Sequence, residues 1–343
     1  MTLTVMYKAG GNVFMMSDVL VSSRRRSLPV PLPTRETAYR HPDSTYPSPS
    51  GLVQKLAFIN KKIVLGWADS VLQASAFVKY LREKIGDREL TPQEISDILD
   101  AYPEENLTEV QAFLTVDLGY DVGSFEINTG HYEMGGIAEL WCLGSGSGDF
   151  YRFADTKLQD PMKDKPGADI SDALYFMGQA MASQAFSGYG LDNGWGAGFQ
   201  AAIRNPNGYG RLDRVLIRAW VAHSPHGQFQ TGRGPFFYLF YRDNDLFVCR
   251  VYGTDGGSFS LVPTVDEFFA REKAVDFPYG YHRPEWVLDV IHKPGTNSFP
   301  YIVTPILKGP SCIRMLQGKP FYVDVSKKDQ SAVRAFARRH FST

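Results

Sequence analysis

The chain has 343 residues, of which 43% are hydrophobic and 21% charged, and its formal net charge is −1. This composition is that of a globular protein long enough to bury a sizeable core. The balanced charge offers no basic surface for nucleic acid or an anionic membrane, and no apolar run reaches the roughly 20 residues that span a bilayer. Cys142, Cys249 and Cys312 stand singly without metal-binding spacing, so we expect reduced thiols in a cytoplasmic protein.

The first predicted element is a hairpin. Residues 3–8 (LTVMYK) and 13–19 (VFMMSDV) read as strands on either side of the glycine-rich turn AGGN. Residues 23–51 then hold six prolines and five arginines without periodicity, which predicts a long loop. We treat residues 23–52 as an insertion, which is either a solvated loop or a lid.

Two short strands and two helices are predicted next. The strands are Leu56–Ile59 and Ile63–Leu65. The first helix follows Asp69, a candidate cap, and carries an apolar face as far as Ile85. The second opens at Thr91 with a capping box and a proline at its first helical position.

The remainder of the chain is predicted as strands with three further helices. Strands over EVQAFLTVDL, GSFEIN and IAELWCLGSGSG precede a short helix, a longer helix over about 170–186, and a glycine-rich turn into a strand that ends near 204. Aromatic strand segments follow, with a hairpin over 236–252 and a last helix over 328–339. We divide the chain into residues 1–204 and a β-rich extension, 205–343, of unknown role. The expected class is α+β, with helices covering antiparallel sheets.

Four segments of the first 204 residues carry a family resemblance, in the family's own order: TLTV…MSDV, QKLAFI, IVLGWADSVLQASAFVKYLREK and LWCLGSGSG. They resemble the proteasome β-subunit fold of the N-terminal nucleophile hydrolases, which the bacterial two-component ring protease shares. The resemblance implies a four-layer αββα sandwich over residues 2–204 and a homo-oligomer. It also implies six site residues: Thr2, Asp18, Lys55, Gly66, Ser145 and Asp192.

The resemblance implies a role for each of these positions. Thr2 is the nucleophile, Asp18 and Lys55 are the charged pair beside it, Gly66 is the oxyanion glycine, and Ser145 supports the nucleophile. The sixth position lies near the family's second supporting acid. None of these roles requires a metal or an organic cofactor.

The chemistry of such a site requires a base for the threonine hydroxyl. An N-terminal residue carries its own base, an α-amine with an ordinary pKa of roughly 7.7–8.0. Met1 must therefore be removed, and methionine before a small residue such as threonine is normally excised. The ammonium of Lys55 would lower the pKa of the amine, and the backbone N–H of Gly66 would meet the developing oxyanion. The predicted reaction is hydrolysis of a peptide or other amide bond through an acyl-enzyme on Thr2.

Three features depart from the family pattern. The insertion at 23–52 replaces the short segment that borders the family's substrate pocket, the helix from Pro92 is shorter than the family's counterpart between rings, and residues 205–343 extend beyond the family fold. Three alternatives follow: an amidase of the same fold acting on a small molecule, a non-catalytic assembly subunit, or an α+β binding protein whose resemblance is accidental.

Overall fold

The structure is a computed structural model that describes residues 2–9, 11–23, 30–35, 48–134, 138–155, 170–191, 194–223, 230–252, 256–269, 276–292, 301–306, 312–319 and 321–341. In these ranges the fold is mixed α+β, with five α-helices and mostly antiparallel sheets, which confirms the fold class at that general level. None of the helices within them is both long and apolar enough to cross a membrane.

The helices are α1 (Val71–Ile85), α2 (Pro92–Asp100), α3 (Ser147–Phe153), α4 (Ile170–Ser187) and α5 (Lys327–Phe341), with one 3₁₀ turn at Glu104–Leu107. The strands are β1 (Thr4–Ala9), β2 (Asn12–Asp18), β3 (Leu20–Ser23), β4 (Ser48–Leu52), β5 (Leu56–Phe58), β6 (Ile63–Asp69), β7 (Val110–Asp117), β8 (Val122–Ile127), β9 (Gly130–Met134), β10 (Ala138–Leu143), β11 (Phe199–Asn205), β12 (Gly208–Arg211), β13 (Val215–His223), β14 (Gln230–Arg242), β15 (Asp245–Tyr252), β16 (Gly256–Val262), β17 (Gly280–His282), β18 (Trp286–His292), β19 (Tyr301–Ile306), β20 (Ile313–Met315) and β21 (Tyr322–Val323).

Sheet I contains the predicted hairpin at its centre. Its strand order is β12-β11-β2-β1-β10-β9, and β1 pairs antiparallel with β2 and β10, which confirms the hairpin. Alternate residues of β1 enter different apolar clusters: Val5 and Tyr7 pack towards α4, whereas Met6 packs towards the strands of a second sheet. Both faces of the strand are therefore buried, which explains its nearly continuous apolar sequence.

Sheet II (β5-β6-β7-β8) packs one face on sheet I and the other on α1 and α2. The predicted capping box of α2 is confirmed: the Thr91 hydroxyl accepts from the N–H of Glu94, whose carboxylate accepts from the N–H of Thr91. The cap predicted for α1 was wrong. Asp69 remains in β6, with a φ of 75°. The next residue, Ser70, therefore occupies the capping position of this helix.

Sheet III (β16-β15-β14-β13-β18-β19) belongs to the predicted β-rich extension, and the hairpin predicted over 236–252 is confirmed by β14 and β15. Helix α4 lies between sheet I and sheet III, and its apolar residues share one cluster with both. Gly178 permits this contact, because a Cβ there would overlap the side chain of Leu288 on β18. The extension and the preceding residues are thus built on a common core.

The outer face of sheet III is covered by α5 and by the small sheet β17-β20-β21. A buried arginine ties the helix to the sheet: Arg218 on β13 donates to both carboxylate oxygens of Asp289, at 2.9 and 2.6 Å, and to Asp329 in the first turn of α5, at 2.9 Å. Asp289 also accepts from the indole N–H of Trp220. Arg218 and Asp289, the two buried charges of this cluster, therefore have partners, as burial requires.

The long loop predicted over residues 23–51 was wrong at its carboxyl end. Ser48–Leu52 forms β4, which pairs antiparallel with β3, whereas the sequence indicated only a loop there. The proline and the glycine of SPSGL concealed the strand, and two-stranded pairing tolerates such residues. Residues 24–29 and 36–47 of the insertion lie outside the described residues.

Candidate active site

A fully buried ion pair lies beside the first residues of the chain. Lys55, just before β5, places its Nζ 2.5 Å from Oδ1 of Asp18 and 2.5 Å from the carbonyl oxygen of Leu20. Both side chains are 0% exposed. These contacts use two of the three N–H bonds of the ammonium, and the third has no acceptor among the described residues.

Asp18 connects this pair to β1. As the last residue of β2 it lies opposite Leu3, whose N–H donates to its Oδ1 at 2.9 Å. Its Oδ2 accepts from the backbone N–H of Gly196 at 2.7 Å. The carboxylate thus holds in one place the lysine, the residue that follows Thr2, and the segment that enters β11.

Burial shifts the pKa of both members of the pair. Loss of hydration lowers the pKa of Lys55, and the charges of Asp18 and then Asp69 oppose this shift. Loss of hydration also raises the pKa of Asp18, against the charge of Lys55 and the backbone donors at Leu3 and Gly196.

Thr2 is itself buried, with 3% of its surface exposed. Its carbonyl oxygen accepts from the N–H of Gly146 at 3.0 Å, which joins β1 to the loop after β10. Its Oγ1, by contrast, has no hydrogen-bond partner among the described residues. Burying an unsatisfied hydroxyl costs free energy, so such a group in a native structure calls for a functional explanation.

The loop after β10 is shaped around this threonine. Gly144 has a φ of 81°, and a Cβ at that position would overlap both the carbonyl oxygen and Oγ1 of Thr2. At Gly146 a Cβ would lie 2.8 Å from Cβ of Leu3. Only residues without side chains allow the loop to approach β1 this closely.

We expect Gly144→Ala to reduce stability by about 1–3 kcal/mol, because alanine is strained at this φ and its methyl group displaces Thr2. Urea unfolding measures this change. Gly148→Ala is the matched control, since nothing lies within 4 Å of its Cβ position and the residue is in α3. Equal stability of the two variants would contradict the described approach of the loop to Thr2.

Gly66 lies inside β6, where a Cβ would be 2.8 Å from the methyl group of Thr4 and 2.6 Å from the ring of Phe113. Here sheets I and II are in close contact, and the Thr4 hydroxyl donates to the carbonyl oxygen of Trp67 at 2.9 Å. Packing between the two sheets alone therefore requires glycine at position 66. The residue is paired with β5 and β7 on its two sides, so its N–H is directed at a neighbouring strand. Its role as an oxyanion donor stays a prediction.

The remaining two predicted residues lie differently. Ser145 is exposed at the tip of the loop, between the two glycines that contact Thr2 and Leu3. Asp192 lies outside the described residues. The structure thus joins Lys55 to Asp18, and Asp18 to the backbone of Leu3, the residue after Thr2, and it leaves Ser145 exposed.

Two glutamines that the sequence did not indicate also contact the segments around the candidate active site. Gln184 on α4 accepts from the N–H of Ala197 at 3.1 Å, and its side chain fills the space beside Gly196. Gln111 on β7 accepts from the N–H of Gly144 at 3.1 Å. Both glutamines hold backbone segments that contact the site, and each acts across more than ten residues of sequence, where no local pattern signals the contact.

Chemically, the site combines a buried hydroxyl with a nearby buried lysine–carboxylate pair, which is an arrangement suited to activating a nucleophile. The pair connects to the hydroxyl-bearing residue through one backbone N–H. Comparison of the chain with protein-family models and with curated proteins found no match. The geometry of the site itself therefore carries the functional argument.

Proposed function

We propose that the chain is an N-terminal threonine hydrolase of the proteasome-like type, which cleaves peptide or other amide bonds through an acyl-enzyme on Thr2. The observation that carries the proposal is the carboxylate of Asp18, which binds the buried ammonium of Lys55 and the N–H of Leu3 at the same time. The succession of α1 and α2, sheet II, sheet I, and α3 with α4 supports the finer assignment of an αββα sandwich.

The reaction begins with removal of Met1, which gives Thr2 a free α-amine. This amine takes the hydroxyl proton while Oγ1 attacks the amide carbonyl carbon, and the oxygen of that carbonyl becomes an oxyanion. The tetrahedral intermediate collapses to an ester on Thr2, and the leaving amine receives the proton. Water then hydrolyses the ester, with the α-amine again as base, and regenerates the hydroxyl.

Lys55 and Asp18 act on the electrostatics of this sequence. A fixed ammonium near the α-amine lowers the pKa of that amine, so that more of it is neutral at working pH. The same positive charge stabilises negative charge that develops on Oγ1 as its proton leaves. Asp18 keeps the lysine in position and, through the N–H of Leu3, keeps the start of β1 in register with it.

The proposal is tested first by the intact mass of the purified protein. A mass that lacks one methionine is expected, because Thr2 is small enough for its excision. The processed protein is then incubated with a small neutral activated ester, and peptide mapping is expected to place one acyl group on Thr2. Retention of Met1, or acylation elsewhere only, would contradict the proposal and favour a non-catalytic assembly subunit.

A further inference from the structure

A buried glutamine lies between sheet I and the first strand of sheet II. Gln200 on β11 is 2% exposed and pairs with Ser17 of β2, the residue before Asp18. Its amide group faces the backbone N–H groups of Lys55 and Leu56 and the hydroxyl group of Ser17. Since a backbone N–H can only donate, the amide atom that faces it is the oxygen of Gln200. This oxygen lies 2.5 Å from the backbone nitrogen of Lys55 and 2.8 Å from Oγ of Ser17.

The two ends of Lys55 are therefore bound to the same sheet. Its ammonium contacts Asp18 on β2, and its N–H donates to Gln200 on β11, the strand beside β2 in sheet I. Its carbonyl oxygen accepts from the N–H of Trp67 on β6 at 3.1 Å, which is its bond to sheet II. A lysine has a flexible four-carbon stem, so the position of the ammonium depends on where the backbone is held. Gln200 holds that backbone against the strands that carry the ion-pair partner.

The preceding residue is also a buried glutamine, but its amide group binds elsewhere. Gln54 is 2% exposed, and its Nε2 donates to the carbonyl oxygens of Asn244 and Val262, at 2.7 and 2.9 Å. Val262 is the last residue of β16, so this glutamine ties the chain before Lys55 to sheet III. The two glutamines are equally buried and both lie next to Lys55, which makes Gln54 a matched comparison for Gln200.

We propose that Gln200 is a positioning residue of the hydrolase: it fixes the backbone of Lys55, so that the ammonium stays against Asp18 and acts on Thr2 from one place. The inference rests on the proposed function, because it takes Thr2 as the nucleophile. Gln200 acts through Lys55 and takes no part in the bond changes themselves. A displacement of about 1 Å that originates away from the reacting atoms can lower a rate by about 100-fold, so such a residue affects the chemistry measurably.

The test compares Gln200→Met with Gln54→Met, each as the processed full-length protein. Both substitutions remove the hydrogen bonds of a buried glutamine, so both are expected to lower the midpoint of urea unfolding by similar amounts. Acylation of Thr2 by the small neutral ester is expected to be about 10- to 100-fold slower in Gln200→Met, and to stay within about twofold of the parent protein in Gln54→Met.

The pH dependence of acylation distinguishes positioning from a loss of stability alone. A fixed ammonium lowers the pKa of the Thr2 α-amine, and the rate rises as this amine becomes neutral. The charges of Asp18 and Asp69, which act on Lys55, are present in both variants. With the lysine backbone released, the ammonium moves and its effect on the amine weakens. The midpoint of the pH profile is therefore expected about 0.5 or more higher in Gln200→Met, and unchanged in Gln54→Met.

A milder variant decides if Gln200→Met does not fold. Ser17→Ala removes only the hydroxyl group that donates to the Gln200 oxygen, and it leaves both glutamines and the ion pair in place. Acylation is expected to slow by about threefold, with the pH midpoint displaced in the same direction. An unchanged rate and an unchanged midpoint in this variant would overturn the positioning role.

The outcomes separate the inference from the function on which it rests. If Thr2 of the parent protein is acylated, and folded Gln200→Met matches Gln54→Met in rate and pH midpoint, the positioning role fails and the hydrolase stands. A slower reaction at an unchanged midpoint marks a purely structural role and also overturns the inference. If Thr2 of the parent protein is not acylated, the hydrolase fails and the positioning role fails with it. A slower reaction with a raised midpoint in Gln200→Met alone supports both.

Discussion

Replacing Thr2 by alanine is expected to abolish acyl-enzyme formation and to lower kcat/KM by at least about 10³-fold, because no other group supplies the nucleophile. The fold is expected to persist. The hydroxyl that the substitution removes is buried without a partner among the described residues, so its loss relieves a desolvation cost and breaks no hydrogen bond of the native state. Mass spectrometry after incubation with the neutral ester, together with urea unfolding, measures both effects.

Thr4→Val is the matched control for this variant. Thr4 lies two residues further along the chain, at the start of β1, and its hydroxyl donates to the carbonyl oxygen of Trp67. We expect this substitution to cost about 1 kcal/mol of stability and to leave acylation of Thr2 in place. The two threonines should therefore show opposite behaviour. Normal turnover by Thr2→Ala would end the case for an N-terminal nucleophile.

Replacing Lys55 by methionine is expected to lower the free energy of unfolding by about 3–5 kcal/mol, because Asp18 is left as a buried charge without its ion-pair partner. Restoring neutrality with Lys55→Met and Asp18→Asn together should recover part of this loss, since no buried charge remains and the asparagine oxygen can still accept one of the two backbone N–H groups, of Leu3 or Gly196. Urea unfolding of the single and double variants measures the coupling between the two side chains.

Activity should not follow stability in this series. Acylation of Thr2 is expected to be lost in both the single and the double variant, because neither retains an ammonium near the nucleophile. As a control, Lys62→Met removes one partner of an exposed ion pair with Glu89 and is expected to change neither stability nor acylation measurably. If the double variant regained both stability and acylation of Thr2, the role of the Lys55–Asp18 pair would be structural only.

The parts of the fold that were predictable from sequence are those decided within a few residues. The capping box of α2 needs only Thr91 and Glu94, three positions apart, and the first hairpin needs only alternation on either side of a glycine-rich turn. Similar local rules failed where two neighbours competed for one position. Asp69 and Ser70 are both good capping residues, and the extension of β6 through Asp69 decided between them.

Residues of the site were predictable only through the family resemblance, which relates segments that are far apart in the sequence. Asp18 and Lys55 are separated by 37 residues, and nothing in either segment alone indicates their contact. Gly196 is 178 residues from Asp18 and was missed, as were the glutamines on α4 and β7 that hold the surrounding backbone. Such contacts depend on how sheets and helices pack, which short patterns of residues do not encode.

The position of α4 between two sheets has a consequence for the order of events on the ribosome. The helix is complete at Ser187, but β18, which covers its outer side, begins only at Trp286. At roughly 5–20 residues per second, the hundred or so intervening residues take about 5–20 s to synthesise. Throughout that interval the part of the helix that packs on β18 lacks its partner strand. The core between sheet I and sheet III is therefore completed only after β18 has been synthesised.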